Sequence, residues 1–488
     1  MADEIIIIPE EASILDILLH EKKMSRFPEQ DEGAIELLSA FIEEILGLEE
    51  VPQENDVISF LMRRIAEIDE LLSAQINEVL HHPEFQKLEG SWRGIHYLVM
   101  NTETSTRLKL RVLNSSLKDL RDDLSKAIEF DQSELFKKIY EEEYGTFGGA
   151  PYSCLVGAYS FTNHPQDILF LEHMAALAAA AHAPFIAAVS PVFFNLDKFE
   201  DMPLPRDLSK IFESPDYIKW NSFRNSEDSR YVTLLLPRIL MRLPYGPNTL
   251  PVVEFNFTED VGVGDTDKFC WGNPAYALAQ RITNAFALYS WTAAIRGVEG
   301  GGVVEGLPTY IFKTLERDTA VKCPTEVAIT DRREKELSDL GFIAVSYCKG
   351  SDFAVFFGCQ TTQKPKVYNL DDANANASIS ARLTYLLAAS RFAHYIKVMM
   401  RDKVGVFLTR ENVEVHLNNW LASYILLNDN APARTKAEYP LREGRIDVYD
   451  IPGSPGSYKS VIYLRPHFQM EELTASIRLV ANLPARAG

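Results

Sequence analysis

The stretch CLVGAYSFTNHPQDILFLEHMAALAAAAHAPFIAAV, residues 154–189, decides the fold class. It opens with an apolar run at 154–161, continues through an alanine-rich segment at 167–182 and ends in a second apolar run at 184–189. Two short apolar runs separated by a helical segment are typical of parallel strands joined by a crossover helix. The stretch therefore predicts a β-α-β unit within an α/β domain.

The turn after the first predicted strand has the sequence TNHPQ, residues 162–166. Nucleotide-binding β-α-β units place glycines there, because the backbone must approach the phosphates at the helix N-terminus. This turn has no glycine, and the cluster GVEGGGVVEG at 297–306 has neither GxGxxG spacing nor a following Lys-Ser or Lys-Thr. The sequence also lacks GxSxG and HExxH motifs. We therefore expect no catalytic residues, no metal ligands and no cofactor.

The charge of the chain is strongly acidic and unevenly placed. The formal net charge is −20 over 488 residues, and residues 1–80 hold 20 acidic and 5 basic residues, a net of 5 − 20 = −15. Such a chain repels nucleic-acid phosphates and anionic lipid. Residues 1–9 begin acidic, and no segment approaches the roughly 18 apolar residues of a membrane span. We expect a cytoplasmic protein with no nucleic-acid partner and no membrane insertion.

The N-terminal sequence MADEIIIIP, residues 1–9, places four β-branched residues in a row: Ile5, Ile6, Ile7 and Ile8. A strand alternates its side chains between two faces, so four consecutive isoleucines need apolar cover on both. A terminal strand of this kind is a candidate for addition to the sheet of another subunit. Pairing within its own chain is the alternative.

Residues 56–80 carry apolar side chains at alternating three- and four-residue steps, which predicts a helix with a narrow apolar seam about three heptads long. Such a seam suits pairing with a helix of another chain, and packing on its own domain is the alternative. The candidate pairing residues at the centre of the seam are Leu61, Ile65, Ile68 and Leu72.

The C-terminal part follows a polar, Asn- and Asp-rich stretch at 369–376. Helical spacing predicts a long helix over 379–399 and a second helix over 411–427. Two strand-like runs at 445–451 and 458–464 flank a Pro- and Gly-rich turn and predict a β-hairpin.

The fold class is therefore a mixture of α/β and α+β elements in three parts. We expect an acidic, partly helical N-terminal arm at 1–55 and a central α/β domain at 56–370 that opens with the helix 56–80. A C-terminal domain of two helices and a β-hairpin follows at 371–488. The segment 473–479 alternates apolar and polar residues and predicts a half-buried final strand.

Residues 217–257, YIKWNSFRNSEDSRYVTLLLPRILMRLPYGPNTLPVVEFNF, are dense in arginine, aromatic residues and proline. Arginine and aromatic residues are enriched at interface hot spots, since the guanidinium group binds carboxylates and stacks on rings. Internal salt bridges to nearby carboxylates are the alternative. The candidate interface residues of this block are Trp220, Arg224, Arg230 and Arg242.

Residues 217–257, together with HPEFQKLEGSWRGIHYL at 82–98 and CPTEVAITDRREKELSDLGF at 323–342, resemble the large subunit of the type VI secretion contractile sheath, the family called TssC or VipB. The resemblance runs from about residue 56 to 484. It implies a structural, non-enzymatic protein. It also implies five partners: a small sheath subunit (TssB/VipA-like), neighbouring copies of the chain, an inner tube protein (Hcp-like), an AAA+ disassembly ATPase (ClpV-like) and a baseplate.

The resemblance further implies that strands are shared between subunits. The Ile5–Ile8 segment would be the donated arm, and a hairpin with the final strand would receive it. The implied receiving residues are Val461, Tyr463, Ala475, Ile477 and Leu479. The competing reading from the residues alone is an α/β enzyme or small-molecule binder with an unrecognised site.

Overall fold

The computed structural model describes residues 57–204, 207–253, 255–262, 264–313, 319–406, 409–453, 457–467 and 469, together with 33, 35–37, 39 and 40. The arm residues Ile5–Ile8 and the final segment 473–479 lie outside the described residues. Two compact units divide the chain. The larger contains Asn77–Pro251 and the residues from Thr258 onward, and the smaller contains the residues up to Ile76 with Val252–Phe257.

Helices and strands alternate through the first two-thirds of the chain, and a helix-rich segment with one hairpin follows. The helices are α1 Val57–Leu80, α2 Pro83–Met100, α3 Leu117–Lys126, α4 Glu134–Phe136 (continued by a π-helix, Lys137–Gly145), α5 Pro165–Ala181, α6 Leu208–Phe212, α7 Ile218–Asn225, α8 Ala275–Tyr289, α9 Asp331–Asp339, α10 Asp371–Ser380, α11 Leu383–Asp402, α12 Arg410–Ala422 and α13 Ala433–Glu438. The strands are β1 Leu155–Phe161, β2 Phe185–Val189, β3 Val232–Leu236, β4 Ile239–Leu240, β5 Trp271–Gly272, β6 Val303–Val304, β7 Ile311–Lys313, β8 Thr319–Val321, β9 Phe342–Tyr347, β10 Ala354–Phe356, β11 Leu441–Asp450 and β12 Tyr458–Pro466.

A six-stranded sheet forms the centre of the larger unit, in the order β1-β2-β3-β9-β10-β6. The first four strands are parallel, and β10 pairs antiparallel with both β9 and β6. The β-α-β unit predicted from residues 154–189 is confirmed: β1 and β2 pair in parallel and α5 joins them. The helix ends where His182 adopts a left-handed conformation with φ 51°.

Both faces of this sheet are covered, and every residue of β2 and β3 is buried. Along β3 the side chains alternate between two cores. Val232, Leu234 and Leu236 pack on the side of α5, whereas Leu235 packs on the side of α8. Parallel strands read as continuous apolar runs because both faces lie in the interior. Burial of each such side chain contributes about 1.5–3 kcal/mol, so the sheet is a major source of the stability of the larger unit.

A side chain supports β1 where its pairing with β2 is irregular. The register of the two strands shifts between Val156 and Ser160. In this interval Asn273 Nδ2 donates to the carbonyl oxygens of Gly157 (3.2 Å) and Tyr159 (3.1 Å), and Asn273 Oδ1 accepts the N–H of Ala275 (2.9 Å). The carboxamide therefore satisfies backbone groups of β1 and joins the strand to the start of α8.

Helix α2 approaches its neighbours closely because two of its buried residues are glycines. A Cβ atom at Gly90 would lie 2.4 Å from the carbonyl oxygen of Trp271, and one at Gly94 would lie 2.3 Å from the ring of Tyr276. No side chain fits at these distances. The two glycines therefore set the separation of α2 from β5 and α8.

The C-terminal part packs α11, α12 and the β11–β12 hairpin around Trp291 and Phe392, whose rings stack at 4.4 Å. The predicted two helices and hairpin are present, with two further short helices, α10 and α13. Helix α12 ends at Ala422, not at residue 427 as predicted. The chain leaves the helix there because Leu426 N–H donates to the Leu441 carbonyl (2.8 Å), and tertiary pairing outweighs helix propensity.

Candidate interaction sites

The strand-to-helix turn after β1 is filled by a carboxylate. Asp167, on the first turn of α5, accepts the N–H (2.8 Å) and hydroxyl (2.6 Å) of Thr162 and pairs with Arg121. A phosphate group in a nucleotide-binding unit would occupy this place. A buried carboxylate at this position repels anions. Asp167 therefore stabilises the turn through its own contacts with Thr162 and Arg121.

Trp220 and Arg224 lie in the interior. Trp220 is fully buried, with its ring stacked on Phe342 at 5.8 Å. Arg224 donates to the carbonyl oxygens of Thr362 (3.0 Å) and Asp339 (3.2 Å), and burial lowers the pKa of its guanidinium to about 10. Side chains with almost no accessible surface contact no second subunit. The interface hypothesis is therefore revised for both residues, which hold the sheet and the loop around residue 362 together.

Arg242 is also internal and forms the centre of a charged cluster. Its guanidinium bonds to the carboxylates of Glu89 (2.6 and 3.2 Å) and Glu259 (2.6 and 3.1 Å). It also lies over the ring of Tyr245, 4.5 Å from the centroid. The Arg242 side chain is 4% exposed, so the interface hypothesis is revised here too. Glu89 belongs to α2, and the cluster therefore ties that helix to the chain after β4.

Arg230 remains partly exposed, with 29% of its side-chain surface accessible. Its Nε donates to the Glu227 carbonyl (2.8 Å), and its guanidinium lies 3.9 Å from the Glu227 carboxylate. A surface pair of this kind contributes little to folding. For Arg230, a contact with another subunit stays a prediction.

The apolar seam of α1 has accessible surface among the described residues. Ile65, Ile68 and Leu72 are 57%, 51% and 41% exposed. The side chain of Leu61 lies outside the described residues, although its backbone belongs to α1. A helix in water normally turns its apolar face toward a core. Pairing of the seam with a helix of another chain therefore stays a prediction, with packing on its own domain as the alternative.

The β11–β12 hairpin is long and regular, with Ile446 opposite Ile462 and Arg445 opposite Tyr463. One face packs into the core through Ile446 and Val448. The opposite face bears Tyr463, which is 50% exposed and lies 5.0 Å below the Arg445 guanidinium, together with the partly buried Val461. The remaining predicted strand-exchange residues, Ile5 to Ile8, Ala475, Ile477 and Leu479, lie outside the described part of the chain.

A cavity of about 470 Å³ lies beneath β12. Ser460 and Ile462 of β12, Lys397 of α11, and Tyr140 and Tyr144 line it with other side chains. The Lys397 ammonium lies 3.2 Å from the centroid of the Tyr144 ring, and burial with the nearby Arg401 lowers the pKa of this lysine. Among the residues that the structure describes, this space beneath the inner face of β12 is unfilled.

His394 of α11 is buried close to this cavity, with 2% of its surface exposed. Its Nε2 lies 2.9 Å from the Ala181 carbonyl oxygen and donates to it. Burial lowers the pKa of His394 to about 4, although the bond to Ala181 opposes this, and the positive charges of Arg391 and Lys397 lower it further. The imidazole is therefore neutral near pH 7.

Some contacts at these sites were not identified from the sequence. Glu89 and Glu259 lie 153 and 17 residues from Arg242, and nothing in their local sequence marks them as its partners. Lys397 lies on α11, whose helical spacing of apolar residues predicts a buried face but not the contact between Lys397 and the Tyr144 ring. These contacts depend on long-range packing, which residue spacing does not encode.

Two family models match the chain in succession. The first, described as EvpB/VC_A0108, tail sheath N-terminal domain, matches residues 62–363. The second, described as EvpB/VC_A0108, tail sheath gpW/gp25-like domain, matches residues 372–483. Together they span most of the chain.

Comparisons with individual proteins include one strong likeness and weaker ones among solved structures. The chain is 49% identical to the type VI secretion system sheath protein TssC1 of Pseudomonas aeruginosa over 437 residues, 88% of this chain and 87% of that protein. Among solved structures, the baseplate of the anti-feeding prophage matches with 10% identity and a TM-score of 0.38, covering 77% of this chain and 83% of that one. The contracted sheath of an extracellular contractile injection system matches with 9% identity and a TM-score of 0.36, covering 63% and 68%.

Within the described residues, no helix combines the length and apolar content needed to cross a membrane. The two family models and the extent of identity to a sheath protein agree with each other along nearly the whole chain. The chain belongs to the TssC/VipB family of type VI secretion sheath proteins, which are structural subunits of a contractile sheath.

Proposed function

We propose that this chain is the large subunit of a cytoplasmic sheath that pairs with a small sheath subunit and polymerises into a helical tube. Contraction of the tube would propel an inner tube of a second protein. A baseplate would anchor the assembly, and an AAA+ ATPase would disassemble it after use. The observation that carries the proposal is the 49% identity to a sheath protein over 88% of the chain.

The exposed seam of α1 supports pairing with another helical subunit. Ile65 and Ile68 are more than half exposed, and a row of large apolar side chains in water marks a surface that another protein covers. The three- and four-residue steps suit a partner helix that packs alongside. We assign this seam to the small sheath subunit.

The hairpin and the N-terminal isoleucines support a second kind of link, in which Ile5–Ile8 of one copy adds to the hairpin of a neighbour. Each ladder bond contributes about 0.5–1.5 kcal/mol net, because bonds to water are exchanged for bonds within the sheet. A strand of four or five residues therefore contributes a few kcal/mol. Links of this strength hold subunits together while their rigid cores change orientation during contraction.

Deletion of residues 1–9 tests strand donation. The chain is co-expressed with its small sheath partner and inspected by size-exclusion chromatography and negative-stain electron microscopy. We expect full-length chains to form heterodimers and tubes, and the deletion to form heterodimers without long tubes. Tubes of normal length from the deletion would contradict strand donation. A full-length chain that stays monomeric and binds metabolites would favour a ligand-binding protein instead.

The double substitution Ile65→Asp and Ile68→Asp tests the seam of α1. Both side chains are exposed within the chain, so we expect the melting temperature of the isolated chain to change little and the yield of heterodimer to fall at least tenfold. The control places aspartates at Ala66 and Ala74, which are exposed on the same helix outside the seam. Equal heterodimer yield from both variants would exclude the seam as the pairing surface.

A further inference from the structure

The two halves of α11 contact the α/β part of the larger unit in different ways. In the first half, Leu383 and Leu387 are buried in an apolar core with residues of the central sheet and of α8. In the second half, His394, Lys397 and Arg401 follow one another at steps of three and four residues. Residues at these steps share one side of a helix. We call these three side chains the α11 polar stripe.

Two members of the α11 polar stripe cap the C-terminal ends of other helices. His394 Nε2 donates to the carbonyl oxygen of Ala181 (2.9 Å), the last residue of α5. The Arg401 guanidinium donates to the carbonyl oxygens of Tyr144 (2.8 Å) and Thr146 (2.7 Å) at the end of the π-helix. Carbonyl groups in the last turn of a helix lack partners within the helix, and the helix dipole favours cations there. Helix α11 therefore completes two helix ends of the α/β part.

Tyr144 of the π-helix connects the two caps. Its carbonyl oxygen accepts a hydrogen bond from Arg401, and its ring centroid lies 3.2 Å from the Lys397 ammonium. The same ring lies 5.4 Å from the His394 ring and 6.1 Å from the ring of His182, which follows α5. A displacement of the π-helix end therefore also changes the surroundings of the α5 end.

The contacts of Arg401 depend strongly on the direction of α11. Arg401 lies 14 residues beyond Leu387. At a rise of about 1.5 Å per residue, this places Arg401 about 21 Å further along the helix. A tilt of about 10° around Leu387 would move Arg401 by about 4 Å, whereas a hydrogen bond is broken by an increase of about 1 Å. The bonds of Arg401 therefore permit a narrow range of helix directions.

We propose that the α11 polar stripe is a latch, which fixes the second half of α11 in one orientation against the α/β part and which releases both capped helix ends together when the Arg401 contact is lost. Helix α12 and the β11–β12 hairpin would change orientation with α11, because Leu417 and Ile446 share an apolar core with Ile396. Hydrogen bonds to carbonyl groups suit a latch, since water replaces them when they open. The π-helix belongs to a rare class that is frequently found at functional sites. The latch acts within one chain and needs no second subunit.

Hydrogen exchange measured by mass spectrometry on the full chain tests whether the two helix ends are held together. In Arg401→Met we expect the amides of residues 144–150 and 179–183 to exchange at least tenfold faster, although Arg401 bonds only to the first segment. The amides of β2 and β3 should exchange as in the wild type. The control, Arg434→Met, removes an exposed arginine that pairs with Glu438 (3.3 Å) and should change neither segment.

Faster exchange at 144–150 alone would overturn the latch, because the two caps would then open independently. Unchanged exchange at both segments would overturn it as well. Arg401→Lys keeps the positive charge and loses the two-pronged guanidinium, so we expect a smaller rise at both segments. If Arg401→Met also accelerates exchange in β2 and β3, the lysine variant decides, and a rise at only one segment or at neither would refute the proposal.

Spin labels measure the orientation of α11 directly. The labels are attached to Glu172→Cys on α5 and Lys403→Cys directly after α11, two exposed positions, in a Cys348→Ser background that removes an exposed thiol. With Arg401 present we expect one narrow distribution of distances between the labels. Arg401→Met should shift or broaden this distribution by about 4 Å. Identical distributions in the two proteins would show that apolar packing alone fixes α11 and would overturn the latch.

Discussion

Arg242 provides a test of whether the Arg- and aromatic-rich block serves the interior or an interface. Replacement by methionine keeps much of the side-chain volume and leaves the carboxylates of Glu89 and Glu259 without this cation. Breaking a buried ion pair by removing one partner costs about 3–5 kcal/mol, because the remaining charge stays buried. At about 2–3 °C per kcal/mol for a large domain, the melting temperature should fall by roughly 6–15 °C.

The assay is differential scanning calorimetry of the purified chain near neutral pH, with two comparison variants. Arg242→Lys keeps the charge but loses the two-pronged guanidinium, so we expect a smaller fall. Lys366→Met breaks an exposed contact with Glu227 at 3.1 Å and should leave the melting temperature unchanged. An unchanged melting temperature in Arg242→Met, combined with loss of tube assembly, would refute the internal role and restore the interface hypothesis.

The pH dependence of the Arg242 variant has a definite sign. Burial alone would raise the pKa of Glu89, but hydrogen bonds and charges from Arg242 and Arg93 outweigh burial and lower it below 4.5. A carboxyl group with a lowered pKa stabilises the fold above its unfolded pKa, and this stabilisation is lost as the pH falls through the folded pKa. The difference in melting temperature between wild type and Arg242→Met should therefore be largest near pH 7 and shrink toward pH 4.

Two further predictions concern stability. The folded pKa of His394, about 4, lies below its ordinary value of 6.5. Between pH 6.5 and pH 4 the unfolded chain is protonated at this histidine and the folded chain is not. The free energy of unfolding therefore decreases as the pH is lowered, by about 1 kcal/mol at pH 5.5. His394→Gln should lose this part of the decline in melting temperature from pH 7 to 5.5, and parallel curves for the two proteins would contradict the assignment. Gly90→Ala should lower the melting temperature despite a helix-propensity gain of about 1 kcal/mol, because the new Cβ would lie 2.4 Å from the Trp271 carbonyl oxygen. A raised melting temperature in a thermal shift assay would show that α2 tolerates a wider separation from β5.

The fold was largely predictable where local pattern and tertiary environment agree. The apolar runs of β1 and β2 and the alanine-rich α5 between them define a parallel unit, since buried strands need no polar face. Prediction failed at the end of α12, where pairing of Leu426 with Leu441 ends a helix that residue spacing extends. Helix boundaries respond to distant contacts, which single-sequence patterns do not contain.

The candidate interaction residues were less predictable than the fold. Trp220 and Arg242 belong to residue types that are common both in interfaces and in well-packed interiors, and composition does not separate the two. The seam of α1 stays a prediction, and its spacing describes one face of a helix whatever covers that face. Asn418 of α12 bonds to both backbone groups of Ile446 on β11, and no sequence signal marks it, since an asparagine on a helix is ordinary until the strand beside it is known.

The carboxamide of Asn273 has a consequence for the uneven pairing of β1 with β2. The register of the two strands shifts between Val156 and Ser160, so regular ladder bonds are interrupted there. Asn273 donates to the carbonyl oxygens of Gly157 and Tyr159 in this interval. A side chain from outside the sheet thus keeps backbone acceptors satisfied where the strands themselves do not, and the irregular strand is retained without orphaned carbonyl groups at these two residues.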